Sequence, residues 1–485
     1  MTLALGVDQG SSSTKAVLID SSGQSLWQDS LPVSTLITAP DRVEQNPEEL
    51  FDSVKTLIDR SFDFVQSSNR TISTIGLAFQ RSGVCAWDRD GAVLHSLLTW
   101  RDRRTLPLLE ALGEDRRVIT EITSLPAIPD YAGGKIALLQ SEFSDQRYFI
   151  GTLDSFVLYR LSNGQVWATD DSMAARTMLY GFKEHGWDAE LCRLSKVDRS
   201  RLAPIRSSIG SFGRYRDVPI TAMLGDQQAS LIGRMQSQTE ILINMGSISS
   251  VCVPTGSTLL RLQGYPASIL FSEEISGVRH FQYLIEGITN ASGSVIESLR
   301  KKLGIDPESL SDLDRLCRVQ RNSDPTVFCA INGTASPHWR YDLPVRSVHW
   351  DGIDFDLLVA PLIENIGNFI VTNLLALLNN AYVSGRPSTV FVSGGLSQSD
   401  YLLQYLADCA EVSIARLPSH DCTALGAALC AFRGIGISEK CVGAGAASIF
   451  SPRDRWRKQE RYQFWFELME GLMRHEPLGR ALDLL

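Results

Sequence analysis

Two carboxylates stand where apolar strands should carry none. Asp8 closes the apolar run 3–7, and a charge there is costly unless it is hydrogen-bonded, paired or set beside a cation. Gly10, Ser11, Ser12 and Ser13 follow, then Lys15. The backbone N–H groups and hydroxyls of so tight a turn can cradle phosphate, and Lys15 can meet its charge. The turn joins two strands rather than a strand and a helix, and no G-K-[ST] follows, so it is not a Walker A loop. Asp8 capping the turn, or pairing with Lys15, accounts for the same residues. The second carboxylate, Asp226, lies in LGDQQASLIG (224–233). There an apolar strand, 218–224, turns at Gly225 into a helix opening at Gln227. A carboxylate at such a junction either caps the helix or serves as a general base in a cleft at the carboxyl ends of strands.

Other polar side chains recur at predicted strand ends. Strand 75–79 ends at Gln80, Arg81 and Ser82, and another short strand precedes Trp100, Arg101 and Asp102. Such a set can bind a small hydroxylated ligand by hydrogen bonds and apolar contact; an Arg81–Asp102 ion pair is the plainer alternative. The segment TEILINMGSISSVCV (239–253) repeats the opening strand, Gly/Ser turn and strand more than 200 residues later. Two such hairpins imply two related domains, each offering a phosphate-binding turn to a shared cleft, as in an actin-like ATPase fold. Between and after them the 3.6-residue period predicts helices from Asn46–Pro47 to 58, at 134–143, 151–160, 357–380 and 456–473. A strand, a Gly394–Gly395 turn and an amphipathic helix in STVFVSGGLSQSDYLLQYLADCA let a nucleotide approach the backbone closely. The small-residue helix TALGAALCAF reads first as close packing.

The 485 residues are 44% hydrophobic and 21% charged, enough for two good cores. A net charge of −9 argues against nucleic acid or an anionic membrane as the main partner. The basic clusters 101–104 and 453–458 are short and mixed with acids, which reads as solvated surface. Nine scattered cysteines with no C-x-x-C pair read as reduced, mostly buried thiols. The dispersed histidines give no zinc spacing. No signal peptide is evident, and the best apolar stretch, 366–378, is too short to span a bilayer. These features together predict a cytoplasmic protein.

Taken together, the motifs resemble the FGGY carbohydrate kinases, in particular the glycerol kinase branch of that family. The matching segments are LGVDQGSSSTKAVLID (5–20), RVEQNPEEL (42–50), FQR (79–81), TWRDRRT (99–105), GTLDSFVLYRL (151–161), ATDDSMAARTMLY (168–180), LGDQQASLIG (224–233) and VSGGLSQSDYLLQYLAD (392–408) with TALGAA (423–428). They keep the family's order over nearly the whole chain. The resemblance implies an α/β fold of two ribonuclease-H-like, actin-like ATPase domains with a cleft between them: 1–231 for the acceptor and the base, 232–485 for the nucleotide. It implies ATP and Mg²⁺, with a small polyol or sugar as substrate, and a homodimer by analogy. Asp226 matches the catalytic base and Asp8 the acid that helps hold Mg²⁺. Ser11, Ser12 and Lys15 match positions facing the ATP phosphates, and Gly246 and Ser247 the second phosphate turn. Gly293, Gly395 and Ser399 match nucleotide-side positions. Gln80, Arg81, Trp100, Tyr131, Asp226 and Gln227 match positions around the acceptor.

Several residues depart from the pattern. Ser82 stands where glycerol kinases carry Glu, and Ser250 where they carry an aromatic residue. Both changes enlarge the pocket, and the first removes an acceptor for substrate hydroxyls, which points to a longer polyol or a ketose. Ile248 replaces a small residue in the second turn, and Glu297 and Ser399 stand where amides are usual. A non-catalytic sugar and nucleotide sensor on the same fold is therefore the alternative to a kinase. A chaperone-like ATPase would leave Gln80, Arg81 and Trp100 without a task.

Overall fold

The apolar run that Asp8 closes is the centre of a sheet. In the computed structural model, β1 (Thr2–Gln9) pairs antiparallel with β2 (Ser13–Asp20), and β2 with β3 (Ser25–Pro32). On its other side β1 runs parallel to β4 (Thr71–Phe79), which runs parallel to β5 (Val218–Gly225). The structure describes residues 2–67, 70–143, 148–234, 240–303, 314–315, 317, 325–331, 333–343, 345–349, 355–380, 387–417, 422–437, 448–453, 455–475 and 480–481. The near-continuous burial of β1 and β4 is what a strand covered on both faces requires. One cover is α1 (Pro47–Ser67), with proline at its first position and Glu48 and Glu49 in its first turn. It runs nine residues beyond the predicted end at 58, and Leu50, Val54, Leu57 and Ile58 pack with Leu3, Leu5, Ile75 and Leu77.

The second half repeats the scheme. β6 (Leu242–Met245) pairs antiparallel with β7 (Ser249–Gly256), and β7 with β9 (Val278–Thr289), which also pairs with β8 (Ala267–Ile275). On its other side β6 runs parallel to β10 (Thr389–Ser393), and β10 to β11 (Ser413–Arg416). Each half therefore has a hairpin whose first strand is central, followed outward by two parallel strands. α2 (Asp226–Ile232) follows β5, and α3 (Gly293–Leu303) follows β9.

Helix α4 (Val359–Leu378) contains the apolar stretch expected to be too short for a bilayer. At 20 residues it is long and apolar enough to cross a membrane, but 83% of its most apolar stretch is buried, as befits a core helix. It packs with α5 (Asp400–Ala410) and α7 (Arg455–Met473), as Leu362, Ile366 and Phe369 join Leu402, Leu406 and Trp465 in one cluster.

The small-residue helix α6 (Cys422–Gly434) comes from the second half yet lies on the first sheet. Ala424, Ala428 and Phe432 pack with Ala4, Val17 and Ile19. Ala427 and Ala431 pack with Ala78, Ala222, Leu224 and Ala229. A division at 231/232 thus separates the strands of the two sheets but not this helix. The described cysteines are free buried thiols; Cys441 lies outside the described residues.

Candidate active site

β1, β4 and β5 run in the same direction, so their carboxyl ends share one edge. Asp8 is in register with Ala78 on β4, and Ala78 with Leu224 on β5. Asp226 lies two residues past that row, and Gln80 and Arg81 leave β4 between the two acids. Two strand spacings separate β1 from β5, roughly 10 Å. The two carboxylates singled out by sequence, 218 residues apart, therefore emerge on one side of one sheet, the side where α/β folds gather ligands.

Asp226 is not the N-cap residue of its helix, although its carboxylate does hold one of the helix's first free N–H groups. Gly225, in extended conformation, occupies the N-cap of α2, and Asp226 is the first helical residue, its Oδ1 accepting the Gln227 N–H at 2.7 Å. The carboxylate keeps 27% of its surface exposed and lies 3.5 Å from Nε of Arg81. Arg81 is shared: its Nη1 donates to Glu286 Oε1 at 2.7 Å. The expected alternative, an Arg81–Asp102 pair, is not formed, since Asp102 accepts from Arg104 and from the Val43 N–H. Glu286, fully buried on β9, also faces Arg176 Nη1 at 3.1 Å. The Arg176 guanidinium in turn lies 5.0 Å from the centre of the Tyr131 ring.

This cluster sets the charges. Burial pushes the Asp226 carboxyl above its ordinary range, with Arg81 opposing and Glu286 adding to the rise. Burial would also raise Glu286, but Arg176 and Arg81 outweigh it and hold that carboxyl below its ordinary value. Burial lifts the Tyr131 hydroxyl to about 12. A carboxylate with raised affinity for a proton, partly open and next to a cation, is suited to general-base work.

The first Gly/Ser turn is tied to Gln80 and Trp100. The Ser11 hydroxyl donates to Gln80 Oε1 at 3.1 Å and accepts from Trp100 Nε1 at 3.2 Å. Gln80 is buried, and its amide nitrogen donates to Gln9 Oε1 and Gln45 Oε1, so its side chain holds the turn and is not presented to a ligand. Gln45 closes the ring by donating to the Ser11 carbonyl at 2.8 Å. Ser11 and Ser12 are exposed at the tip, outside the strand ladder, while Lys15 stands directly opposite Asp8 on β2. Tyr131 is buried at the N-cap of the helix Ala132–Glu142, and Ser82, at φ 67°, donates to the Arg176 carbonyl.

The second turn faces the first domain through Asn244, whose amide donates to Gln227 Oε1 at 3.2 Å. Ser247 is exposed at its tip, and the Gly293 N–H at the start of α3 donates to the Gly246 carbonyl at 3.2 Å. Gly293 thus braces the second turn directly, since a Cβ there would lie 2.9 Å from Ser247 Cα. Gly395 is exposed, with no neighbouring atom within 4 Å of where its Cβ would stand. Ser399 does not share that opening. It is buried as the N-cap of α5, accepting from the Leu402 N–H at 3.1 Å and donating to Asp314, so its hydroxyl is committed to the fold. Of the basic cluster 101–104, Arg101 is exposed and Arg103, paired with Asp130 at 3.3 Å, keeps 34% of its side chain exposed, whereas Arg104 is not solvated surface, since it bridges Glu44 and Asp102.

Among the described residues no group of three or more His, Cys, Asp or Glu side chains could hold a metal. Asp8, a nearly buried carboxylate at the strand edge, fits a Mg²⁺ bound by one carboxylate with substrate phosphates and water, the usual mode for that ion. Sequence reasoning missed Glu286, Arg176 and Gln45. Glu286 interrupts an apolar strand, QYLIEGIT, just as Asp8 does, and that was the available signal.

Residues 3–233 match the N-terminal domain, and 255–435 the C-terminal domain, of the FGGY family of carbohydrate kinases. The chain is 29% identical over 496 aligned residues to a glycerol kinase of Trichodesmium erythraeum, covering 95% of this chain and 96% of the relative. Solved structures share its fold, among them two kinases. A glycerol kinase of Plasmodium falciparum with ADP superposes with a TM-score of 0.85 at 22% identity, covering 98% of each chain. A ligand-bound xylulose kinase of Lactobacillus acidophilus superposes with a TM-score of 0.83 at 20% identity, covering 98% of this chain and 99% of the other. The chain belongs to the FGGY family of carbohydrate kinases and has its two-domain, actin-like α/β fold with a cleft.

Proposed function

We propose that this FGGY kinase transfers the γ-phosphoryl group of ATP to a terminal hydroxyl of a small polyol or sugar, with Asp226 as general base. The observation that carries the reading is the placement of Asp226: at the carboxyl edge of the first sheet, partly open, held 3.5 Å from Arg81, with its proton affinity raised. In the transfer the acceptor O–H bond breaks and its proton passes to Asp226. The freed oxygen bonds to the γ-phosphorus, and the bond from phosphorus to the bridging oxygen of ADP breaks. Phosphoryl transfer needs alignment and charge neutralisation more than covalent help. The exposed tips of the two Gly/Ser turns, at Ser11–Ser12 and Ser247, would offer backbone donors to the phosphates, and Lys15 a cation, while the Gly246 N–H is taken by the Ile248 carbonyl at 3.2 Å. Mg²⁺ beside Asp8 would neutralise phosphate charge. Gly395 leaves room for the nucleoside.

Arg81, Trp100, Tyr131 and Gln227 surround the acceptor in this reading. Ser82 and Ser250 favour an acceptor longer than glycerol, a pentitol or a ketose, because neither supplies the bulk or the carboxylate found in glycerol kinases. The sensor alternative loses one of its supports, since Ser399 is a helix cap whatever the nucleotide affinity.

The test is acceptor-stimulated ADP release over glycerol, tetritols, pentitols, pentuloses and hexoses, repeated with Asp226→Asn. We expect a five-carbon acceptor to give the largest kcat/KM, and Asp226→Asn to lower kcat by about 10²–10⁴. An Asp226→Asn enzyme with its stimulated rate intact refutes the assignment of the base, and no stimulation by any acceptor refutes the reaction.

A further inference from the structure

A buried strand position is an expensive place for a carboxylate, and Glu286 occupies one on β9 with no exposed surface. Its two oxygens face two guanidiniums, Arg81 at 2.7 Å and Arg176 at 3.1 Å, both carried by the first half of the chain. Arg81 is also the cation nearest Asp226, at 3.5 Å, and makes the shorter and hydrogen-bonded contact with Glu286. One guanidinium thus serves two carboxylates, and the split favours the one that does not face the cleft.

We propose that Glu286 is a positioning residue that draws Arg81 away from Asp226 and so keeps the base able to accept a proton. The proposal rests on the reading of Asp226 as the base. Without Glu286, Arg81 would be free to neutralise Asp226 fully, and an opposing charge at contact lowers a carboxyl by about 1–3 pH units. Glu286 also acts directly, as a like charge that resists ionisation of Asp226. The charged and titratable groups facing the cluster are Arg81, Arg176, Asp226, Glu286, Tyr131 and Cys252. Burial lifts Tyr131 and Cys252 to about 12, so near neutral pH the balance is two guanidiniums against two carboxylates.

The experiment reads Asp226 without any acceptor. Denaturant unfolding of the full chain is followed from pH 4 to 8 for the wild type and for Asp226→Asn. A carboxyl that binds its proton more tightly when folded makes the wild type lose stability relative to Asp226→Asn as pH rises past the ordinary carboxylate range. We expect that relative loss to be about threefold or more in the unfolding constant, the equivalent of a half-unit displacement. In a Glu286→Gln background the loss should vanish or reverse sign.

Glu286→Gln leaves two buried guanidiniums short of a counter-charge and strains the fold. The double variant Arg176→Gln/Glu286→Gln restores the balance and should behave as Glu286→Gln does, whereas Arg176→Gln alone, which leaves Glu286 on Arg81, should retain the wild-type loss. If the double variant keeps the wild-type pH dependence, the proposal is wrong. The acid limb of kcat/KM with the best acceptor of the panel should shift to lower pH by the same interval. A kinase abolished by Asp226→Asn whose acid limb is unmoved by the double variant keeps its base and loses this role for Glu286.

Discussion

Adding one methyl group at Gly76 tests how the two halves of the chain are held together. Gly76 lies mid-way along β4, in register with Gly6 on β1 and Ala222 on β5, and this row of small residues is the seat of α6. A Cβ at Gly76 would stand 2.0 Å from the Ala427 carbonyl oxygen and 2.6 Å from its carbon. Ordinary contact begins near 3.4 Å, so α6 must retreat by about 1.4 Å. The obstacle is helix backbone, with no rotamer to change. Overpacking of this kind costs about 1–3 kcal/mol, and lifting the helix opens methyl-sized gaps beneath Ala424, Ala428 and Ala431, at about 1 kcal/mol each where they do not close. The lower entropy of an unfolded alanine chain returns about 0.4–1 kcal/mol. The net loss is about 2–4 kcal/mol, a large part of the ~5–15 kcal/mol typical of a whole domain.

The matched substitution is Gly395→Ala, where the added methyl meets nothing within 4 Å. Its stability should stay within about 0.5 kcal/mol of the wild type, while the methyl occupies space assigned to the nucleoside and raises KM for ATP. Urea unfolding and ATP-dependent initial rates, measured on both variants, separate the two effects. Gly76→Ala should also lower kcat, because α6 clasps α2, the helix that begins with Asp226: a Cβ on Gly426 would lie 1.9 Å from the Ala229 carbonyl. A Gly76→Ala protein with an unchanged urea midpoint would falsify the close seating of α6, and Gly395→Ala with an unchanged KM for ATP would remove Gly395 from the nucleotide site.

Two further substitutions probe groups that the fold uses differently from the pattern of the sequence. Ser399→Ala should lower stability by about 1–2 kcal/mol through loss of the α5 cap and leave KM for ATP as it is; a raised KM at undiminished stability would return Ser399 to the nucleotide site. Lys135 is fully buried, donating to the Pro129 and Tyr131 carbonyls, and burial brings its ammonium down to about 8. Between that value and the ordinary 10.5 the folded chain holds fewer protons than the unfolded chain, so stability relative to Lys135→Met should climb as pH rises from 8 to 10.5. The climb amounts to up to about 3 kcal/mol, read from urea midpoints at each pH, and a flat difference would show that Lys135 stays protonated.

What the sequence disclosed was mostly anomaly. A charge in an apolar run marked Asp8, and a repeated strand–Gly/Ser–strand pattern marked both hairpins, because burial makes such residues conspicuous. The same rule applied to QYLIEGIT would have found Glu286, whose partners Arg81 and Arg176 lie 205 and 110 positions away. Partners that distant leave no local trace, which is also why Arg104 passed for solvated surface although it reaches Glu44, 60 positions away. Ser399 shows the opposite failure. A serine just before an amphipathic helix is the ordinary sign of an N-cap, and here that local rule describes the structure while the family position did not. α6 could be read as close-packed from its small residues, but not as belonging to the first sheet, since composition fixes how near a neighbour comes and not which neighbour it is.

The position of Asp226 explains why the proposed base would need help from the other half of the chain. As the first residue of α2 it sits at the positive end of a helix, next to Arg81, and both influences favour the ionised, weakly basic form. Burial works the other way, but burial cannot be increased without closing the carboxylate off from the acceptor hydroxyl. The remaining means is to divert the cation, and a carboxylate on the second sheet can do this without occupying the cleft. Glu286 meets that requirement, and its contact with Arg81 is made across the two halves. A domain movement that lengthened that contact would return Arg81 to Asp226 and weaken the base, whereas one that preserved it would keep the base ready. On this proposal the strength of the base and the juxtaposition of the two sheets become one variable, with the Arg81–Glu286 distance, 2.7 Å here, as its measure.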